Sequence, residues 1–321
     1  FASTVEELEA LAASARRAGA DAVEARIDEF RDAPSQLSQF LRGHSDRKWL
    51  ITCRSQTEGG LFAGNGIEAG WLAMKAVEGT NAWIDVELAA WRSDSELRTR
   101  VKLHLDAHPA AMLILSSHFF DGATASLADS VEEALREGPQ VVAKVAYTST
   151  HITDSFPALD LLQRFGPRVV AICMGEAGTW TRVLARKLGA FATFASLDKA
   201  ASTAPGQWSV EELRENFGFS IASLGDFNGD GVVDLAVGAD GDDTGGSARG
   251  AIHLLYLNTN RTVQSFQKIA NATGGGPALA DGDNFGSSVT SLGDLDSDGV
   301  ADLAVGARSD DTGGTSRGAV Y

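Results

Sequence analysis

The first two-thirds of the chain alternate short β-rich apolar runs with amphipathic helical segments, and this rhythm restricts the fold to a parallel α/β class. Each apolar run has the length of one strand, and the helical segments, such as Val131–Glu137 and Trp180–Leu188, are suited to crossing back over a sheet. The predicted strands are Asp21–Asp28, Trp49–Arg54, Trp83–Leu88, Ala111–Ser116, Val141–Tyr147, Val169–Met174 and Phe191–Ser196.

A parallel β/α series of this length predicts a (β/α)8 TIM barrel over residues 1–214, with its active site at the C-terminal ends of the strands. The chain opens on Ser3-Thr4-Val5-Glu6-Glu7, which has the capping residue and acids of a helix start. An eighth strand would therefore precede Phe1. We expect a barrel that lacks its first strand.

Lys144 lies inside the apolar run Val141–Tyr147, where a structural strand does not normally place a charge. Burying an unpaired ammonium costs free energy, so a buried lysine is a candidate nucleophile that can form a Schiff base with a ketone or aldehyde. Two other interpretations stay open. Lys144 could extend from an edge strand into water, or it could pair with a buried carboxylate.

The formal net charge of −16 and the absence of basic patches argue against a nucleic-acid partner. No stretch approaches the ~20 apolar residues of a membrane-spanning helix, so no membrane partner is expected.

Six ordered motifs spanning about residues 1–214 resemble those of the type I 3-dehydroquinate dehydratases. They are Val23–Asp28, Arg54–Gly60, Ile84–Leu88, Ser117-His118, Lys144 and Ala204–Gln207. The resemblance implies that Lys144 forms an imine with the substrate ketone, that His118 shuttles protons and that Glu58 orients His118. An imidazole suits proton transfer near neutral pH, although His118 considered alone could be an ordinary loop histidine.

The resemblance also implies a substrate-binding set for a hydroxylated carboxylate, 3-dehydroquinate. Arg182 would bind the carboxylate with Arg54 nearby, since arginine forks suit carboxylates. Glu24 and Arg26 would bind hydroxyls or form an ion pair in the barrel mouth, and Thr203 and Gln207 complete the set. Two positions depart from the family pattern: Phe119 replaces the Asp expected after the histidine, and Thr203 replaces a Ser.

The last hundred residues contain an internal repeat, in which Ser223–Ala239 recurs as Ser291–Ala307. After Phe217 the chain has fourteen Asp and no Glu, and within each repeat oxygen side chains fall at loop positions one, three, five and nine. This spacing is typical of calcium, which takes six to eight oxygen ligands, although an acidic turn without metal has the same composition. The predicted ligands are Asp226, Asn228, Asp230 and Asp234, then Asp294, Asp296, Asp298 and Asp302.

With Phe285-Gly286 before the second loop and Gly-Ala after each loop, these repeats resemble FG-GAP repeats, the calcium-binding blades of integrin-type β-propellers. We therefore assign residues 215–321 to a β-rich FG-GAP segment of partial propeller blades. The resemblance implies an extracellular location for the repeats, whereas the barrel half implies the cytoplasm.

The combined prediction is a hydro-lyase of the shikimate pathway that converts 3-dehydroquinate to 3-dehydroshikimate through a Lys144 imine. It needs no cofactor for catalysis, binds calcium in the repeats, and is considered as a homodimer. A Schiff-base aldolase on the same barrel is a second enzymatic interpretation, which the Arg54–Gly60 motif disfavours. An alternative from another class is a calcium-binding adhesion or scaffold protein that carries an inactive truncated barrel.

Overall fold

The computed structural model describes residues 2–124, 126–175, 178–197, 207–210, 213, 217–259, 263–315 and 317–321. The chain divides into two units, Phe1–Val210 and Glu211–Tyr321. This division falls a few residues before the predicted junction at residues 214 and 215. Among the described residues, no helix has both the length and the apolar character needed to cross a bilayer.

The first unit alternates strands and helices in the predicted order. Its strands are β1 (Val23–Arg26), β2 (Trp49–Thr52), β3 (Trp83–Glu87), β4 (Leu113–Phe119), β5 (Val141–Thr148) and β6 (Val169–Met174). Its helices are α1 (Val5–Ala18), α2 (Pro34–Gly43), α3 (Gly66–Val77), α4 (Leu88–Ser93), α5 (Ser95–Ala107), α6 (Leu127–Arg136), α7 (Phe156–Phe165) and α8 (Trp180–Val183).

The six strands form one parallel sheet in the order β1-β2-β3-β4-β5-β6, curled into a half-barrel. The prediction of a parallel β/α sheet is therefore confirmed. Seven strands were predicted, and the described residues form six of them. Phe191–Ser196 is not a strand: its first residue donates a hydrogen bond to Val169 O of β6 at 3.0 Å, and Ser196 forms a single bridge with Ser209. A lone hydrogen bond and a lone bridge do not make a ladder.

The helix predicted over Trp180–Leu188 is shorter than expected, since α8 ends at Val183. Beyond it the backbone forms separate turns, such as the hydrogen bond from Ala190 N to Ala185 O at 2.9 Å. The predicted helix start near Ser3 is confirmed in α1. Thr4 is its N-cap, and its side chain accepts a hydrogen bond from Glu7 N.

The sheet separates two apolar layers because successive residues of a strand point to opposite faces. Its outer face packs against the helices in the larger core, which includes Leu37, Met74, Leu97 and Leu162. Its inner face carries a smaller apolar cluster, formed by Leu50, Ile114, Val142, Ala146, Val170 and Ile172. On β2, β3 and β4 the alternate positions toward the carboxyl ends are polar: Thr52 and Arg54, Asp85 and Glu87, and Ser116 and His118.

The second unit is built from two antiparallel sheets. The first has the order β10-β9-β8-β7, and the second β11-β12-β13. Each predicted acidic loop joins the first two strands of its repeat. The strands are β7 (Phe217–Gly225), β8 (Asp234–Ala239), β9 (Ala251–Leu257), β10 (Val263–Ala270), β11 (Phe285–Gly293), β12 (Asp302–Ala307) and β13 (Ala319–Val320).

Candidate active site

Strand register brings the predicted site residues of β4 and β5 together at the carboxyl end of the sheet. Ser116 of β4 lies opposite Lys144 of β5, and His118 follows Ser116 on the same face, two residues along β4. On the other side of β4, Glu87 of β3 lies opposite Ser116. Four titratable or hydroxyl side chains thus line the inner face within three adjacent strands.

Lys144 is buried, with 7% of its surface exposed, and β5 lies between two other strands. Its Nζ lies 3.4 Å from Asp85 Oδ2 and 4.2 Å from the ring centroid of Phe194. The interpretation of an edge-strand lysine is therefore wrong. The buried-carboxylate interpretation describes the ammonium correctly, but this carboxylate lies in the same polar layer as His118, so the contact is compatible with a nucleophile in an active site.

Arg54 and Asp85 form a buried ion pair at the centre of this layer. Arg54 Nη2 donates to Asp85 Oδ1 at 2.8 Å, and Arg54 Nη1 donates to Ser116 Oγ at 2.7 Å. Nη1 also lies 3.5 Å from Glu58 and 3.8 Å from Glu87. Burial lowers the pKa of Arg54, but the carboxylates of Asp85, Glu58 and Glu87 raise it overall. The guanidinium is thus a fixed charge with protein partners, and its predicted contact with substrate stays a prediction.

Glu58 and His118 share a hydrogen bond of 2.9 Å between Oε2 and Nδ1, as their predicted roles require. Burial raises the pKa of Glu58 to about 8, with Glu87 and Asp85 adding to the effect and Arg54 opposing it. Burial, together with the cations Arg54 and Lys144, holds the pKa of His118 well below its usual range. This pair therefore holds a neutral imidazole at physiological pH.

Glu58 is positioned by a loop that begins where β2 ends. Ser55 donates to Glu87 from its backbone N at 2.9 Å and from its hydroxyl at 3.0 Å. The loop then closes on itself, with Gly60 N donating to Ser55 O at 2.8 Å. A side chain at Gly60 would collide with the backbone carbonyl of Arg54, so glycine is required there.

Asp28 ties the same loop to β1. It accepts hydrogen bonds from the backbone N–H groups of Arg54 and Leu61, each at 3.0 Å. It also receives the Arg26 guanidinium at 3.1 and 2.5 Å. Arg26 is therefore paired with Asp28, whereas Glu24 accepts a hydrogen bond from Thr52 Oγ1 at 2.7 Å. The open alternative of a Glu24–Arg26 ion pair is not what the structure shows.

Arg182 lies in α8 and is 3% exposed. Its Nη1 donates to Phe194 O at 3.1 Å, whereas its Nε is buried and has no hydrogen-bond partner among the described residues. Burial lowers its pKa to about 10, so it remains a cation at neutral pH. A buried guanidinium with an unused donor is suited to a substrate carboxylate. Gln207 is described and has polar interactions, and Thr203 lies outside the described residues.

Sequence reasoning gave no role to Asp85, Glu87, Ser116, Asp28 or Phe194. A signal for two of them was present, because Asp85 and Glu87 alternate with apolar residues in β3 as Lys144 does in β5. Charged residues at alternate positions of a buried strand face one side of the sheet and need partners there.

The second unit carries the predicted calcium ligands in two exposed loops. In the second loop, carboxylate oxygens of Asp294, Asp296 and Asp302 all lie within 4.8 Å of one another. Asp298 accepts a hydrogen bond from Val300 N at 2.8 Å. The first loop follows the same turn geometry: Asp226 accepts from the backbone at 2.9 Å on both oxygens, and Asp230 accepts from Val232 N at 2.9 Å.

Comparison with known proteins identifies both parts. Residues 1–222 match the type I 3-dehydroquinase family, and residues 217–255 and 285–321 match the FG-GAP repeat. The 3-dehydroquinate dehydratase of Desulfotalea psychrophila is 35% identical over 214 residues, which cover 65% of this chain and 91% of the relative. That of Methanothermobacter thermautotrophicus is 34% identical over 220 residues, 68% of this chain and 93% of the relative.

Among solved structures, the 3-dehydroquinate dehydratase from Geobacillus kaustophilus HTA426 superposes with a TM-score of 0.54 and 26% identity. The match covers 66% of this chain and 83% of that one. The curled parallel sheet and the polar layer at its carboxyl end are thus found in a unit whose sequence and fold match the same proteins. The chain belongs to the type I 3-dehydroquinase family over residues 1–222 and continues into FG-GAP repeats.

Proposed function

We propose that this chain dehydrates 3-dehydroquinate to 3-dehydroshikimate through an imine between the substrate ketone and Lys144. The observation that carries this proposal is the placement of a buried lysine amine beside a hydrogen-bonded carboxyl–imidazole pair, Glu58 and His118, on one face of the half-barrel. Family membership and the names of the relatives support the same reaction.

The proposed chemistry uses protein side chains alone. The Lys144 amine attacks the ketone carbon, and loss of one water gives a protonated imine. This cation withdraws electrons from the adjacent carbon and so acidifies its C–H bond. His118 removes that proton, the β-hydroxyl departs with a proton returned by the imidazole, and a water hydrolyses the imine to release the product. The net change is one substrate to one product and one water.

The remaining site residues are proposed to position the substrate. Arg182 is proposed to bind the carboxylate because its Nε is a buried donor that no described residue accepts from. Arg54, Glu24, Arg26, Thr203 and Gln207 are proposed to bind hydroxyls or to order the pocket. Within the described part of the chain, Glu24 accepts one hydrogen bond, from Thr52 Oγ1 at 2.7 Å, and its second carboxylate oxygen supports direct contact with substrate.

The reaction is tested by incubating the full chain with 3-dehydroquinate and following the conjugated enone of the product by ultraviolet absorbance, with product identity checked by chromatography. Enone formation in proportion to enzyme supports the proposal. A folded chain that forms no enone would contradict it, and an aldolase would instead cleave a ring carbon–carbon bond and give a single ring-opened product without the enone.

We expect kcat/KM to rise with pH through about pH 8, the pKa to which burial raises Glu58. Below it, the proton of the Glu58–His118 hydrogen bond resides on Glu58, so imidazole Nδ1 accepts and Nε2 carries hydrogen. Above it, the Glu58 carboxylate accepts from Nδ1–H, and Nε2 is free to act as a base.

A Glu58→Gln variant removes the titrating carboxyl, so its acid limb should move to lower pH, since the pKa of His118 is well below its usual range. The matched control is Glu68→Gln, which changes a carboxyl that caps α3 outside the site. An acid limb that stays in place in Glu58→Gln would contradict this assignment.

We further propose that the two acidic loops bind calcium. The donor set fits a hard cation: carboxylate oxygens of Asp294, Asp296 and Asp302 converge within 4.8 Å, and the loops are exposed. Asp226, Asn228, Asp230 and Asp234 would hold the ion in the first loop, with Asp298 joining the set in the second. A bound calcium would neutralise the converging carboxylates and so stabilise the loop.

Calcium should therefore raise the melting temperature of the second unit, by an amount equivalent to about 2.7 kcal/mol for each occupied loop at a hundredfold excess over Kd. Differential scanning calorimetry in calcium and in chelator measures the shift. The double variant Asp226→Asn, Asp294→Asn should lose it, and Asp281→Asn, an exposed acid outside both loops, should keep it. An equal shift in the double variant would contradict calcium binding here. Chelation should leave dehydratase turnover unchanged.

A further inference from the structure

Asp85 occupies the centre of the polar layer, and its two oxygens have different partners. Oδ1 accepts hydrogen bonds from Arg54 Nη2 at 2.8 Å and from Ser116 Oγ at 2.6 Å. Oδ2 lies 3.4 Å from Lys144 Nζ. The residue is 1% exposed, so protein donors set its orientation. One oxygen is fixed to the scaffold, and the other faces the nitrogen that would react.

We infer that Asp85 is a positioning residue for the reaction, the fixed counter-ion of the Lys144 nitrogen in both its resting ammonium and its iminium form. This inference rests on the proposed imine mechanism. It assigns Arg54 and Ser116 a shared task, which is to hold Oδ1 so that Oδ2 stays directed at Nζ.

Charge balance supports a counter-ion. An ammonium and a ketone give an iminium and one water, so the charge on the lysine nitrogen is +1 at both ends of the step. A carboxylate beside that nitrogen therefore faces the same positive charge before and after imine formation, so its position need not change during the step. The other oxygen of the same carboxylate lies 2.8 Å from Arg54 Nη2, so Asp85 also balances the buried guanidinium.

Asp85 is unsuited to carry the proton that the ammonium gives up during attack. Burial alone would raise the pKa of Asp85, but the Arg54 and Lys144 charges and the Ser116 hydrogen bond hold it well below its usual range. The transient proton acceptor is thus the Glu58–His118 pair, whereas Asp85 stays a carboxylate throughout. Positioning therefore falls to Asp85, and proton transfer falls to His118 with its hydrogen-bond partner Glu58.

The test compares Asp85→Asn with wild type in turnover and in borohydride trapping of the imine at saturating 3-dehydroquinate. Asparagine keeps the shape and the acceptor for Arg54 and Ser116 but removes the charge. We expect kcat to fall about 10²- to 10³-fold, the scale of losing one partner of a buried ion pair, with KM changed far less. The trapped fraction should fall with kcat, and Asp85→Glu should recover part of both.

Asp94→Asn is the matched control, because Asp94 caps α5 and lies outside the polar layer. If Asp85→Asn does not fold, as judged by near-ultraviolet circular dichroism, Ser116→Ala decides the matter: it removes one of the two donors to Oδ1 and should lower kcat and trapping several-fold. Wild-type trapping in a folded Asp85→Asn variant, or unchanged kcat in Ser116→Ala where that variant decides, would overturn the inference. A wild-type chain that turns over without any trapped adduct would instead overturn the imine mechanism itself.

Discussion

A Lys144→Met variant should lose turnover by about 10⁵-fold or more, the scale on which covalent enzymes respond to loss of their nucleophile. Methionine keeps an unbranched side chain of similar length, so the apolar contact with Phe194 is retained and only the amine is lost. Asp85 keeps Arg54 and Ser116 as partners, so the variant should fold. Without the amine no iminium forms to withdraw electrons, so the C–H bond adjacent to the carbonyl must be deprotonated in the free ketone.

The measurement is steady-state kcat, with folding checked by circular dichroism. Lys75→Met is the matched control, because Lys75 is an exposed lysine in α3 and should behave as wild type. Retention of more than about one per cent of wild-type kcat by Lys144→Met would exclude an obligatory imine on this residue.

A His118→Ala variant should form the imine but carry out the elimination about 10²- to 10⁴-fold more slowly, which is the usual contribution of a general acid–base group. Glu58 alone cannot replace the imidazole, because its loop fixes it as the partner of Nδ1. The intermediate before loss of water should therefore accumulate on Lys144.

Mass spectrometry after borohydride reduction separates the two steps. The His118→Ala adduct should have the mass of the substrate imine, one water heavier than the adduct of the dehydrated product. His151→Ala, which changes an exposed histidine, should give the wild-type ratio of the two adducts. A His118→Ala variant whose adduct is mostly dehydrated would show that another group performs the elimination.

Sequence periodicity located six of the strands because each combines a short apolar run with a flanking turn. Such runs usually form buried strands in a globular chain. Phe191–Ser196 has the same composition but is not a strand. Its aromatic residues instead enter the inner layer, with Phe191 against Trp83 and Phe194 over Lys144. Composition reports burial there, whereas strand formation depends on ladder partners that local sequence does not specify.

Within the candidate site, the sequence singled out Lys144, His118 and Glu58, and the structure places the last two in direct contact. The pairings were harder to predict. Arg26 bonds Asp28 rather than Glu24, and Arg54 is surrounded by three acids from two segments. Such choices depend on how far each strand extends past its neighbour, which a single sequence does not encode. Asp85 was missed for this reason, although its apolar context resembles that of Lys144.

The FG-GAP loops were easier to predict from the sequence than the candidate active site, since the alternation of oxygen side chains with glycine dictates a local turn. Both loops join antiparallel strands at the expected residues, with Gly231 and Gly299 at positive φ, of 86° and 90°. Here the information is local, whereas the candidate active site is assembled from segments that lie far apart along the chain, from β1 to the segment that contains Phe194.

The most direct test of the central claim is borohydride trapping of the full chain with 3-dehydroquinate, followed by intact mass and a peptide map. We predict one adduct per chain, on the peptide that contains Lys144, and none in Lys144→Met. Turnover without an adduct, or an adduct on a different lysine, would contradict the account.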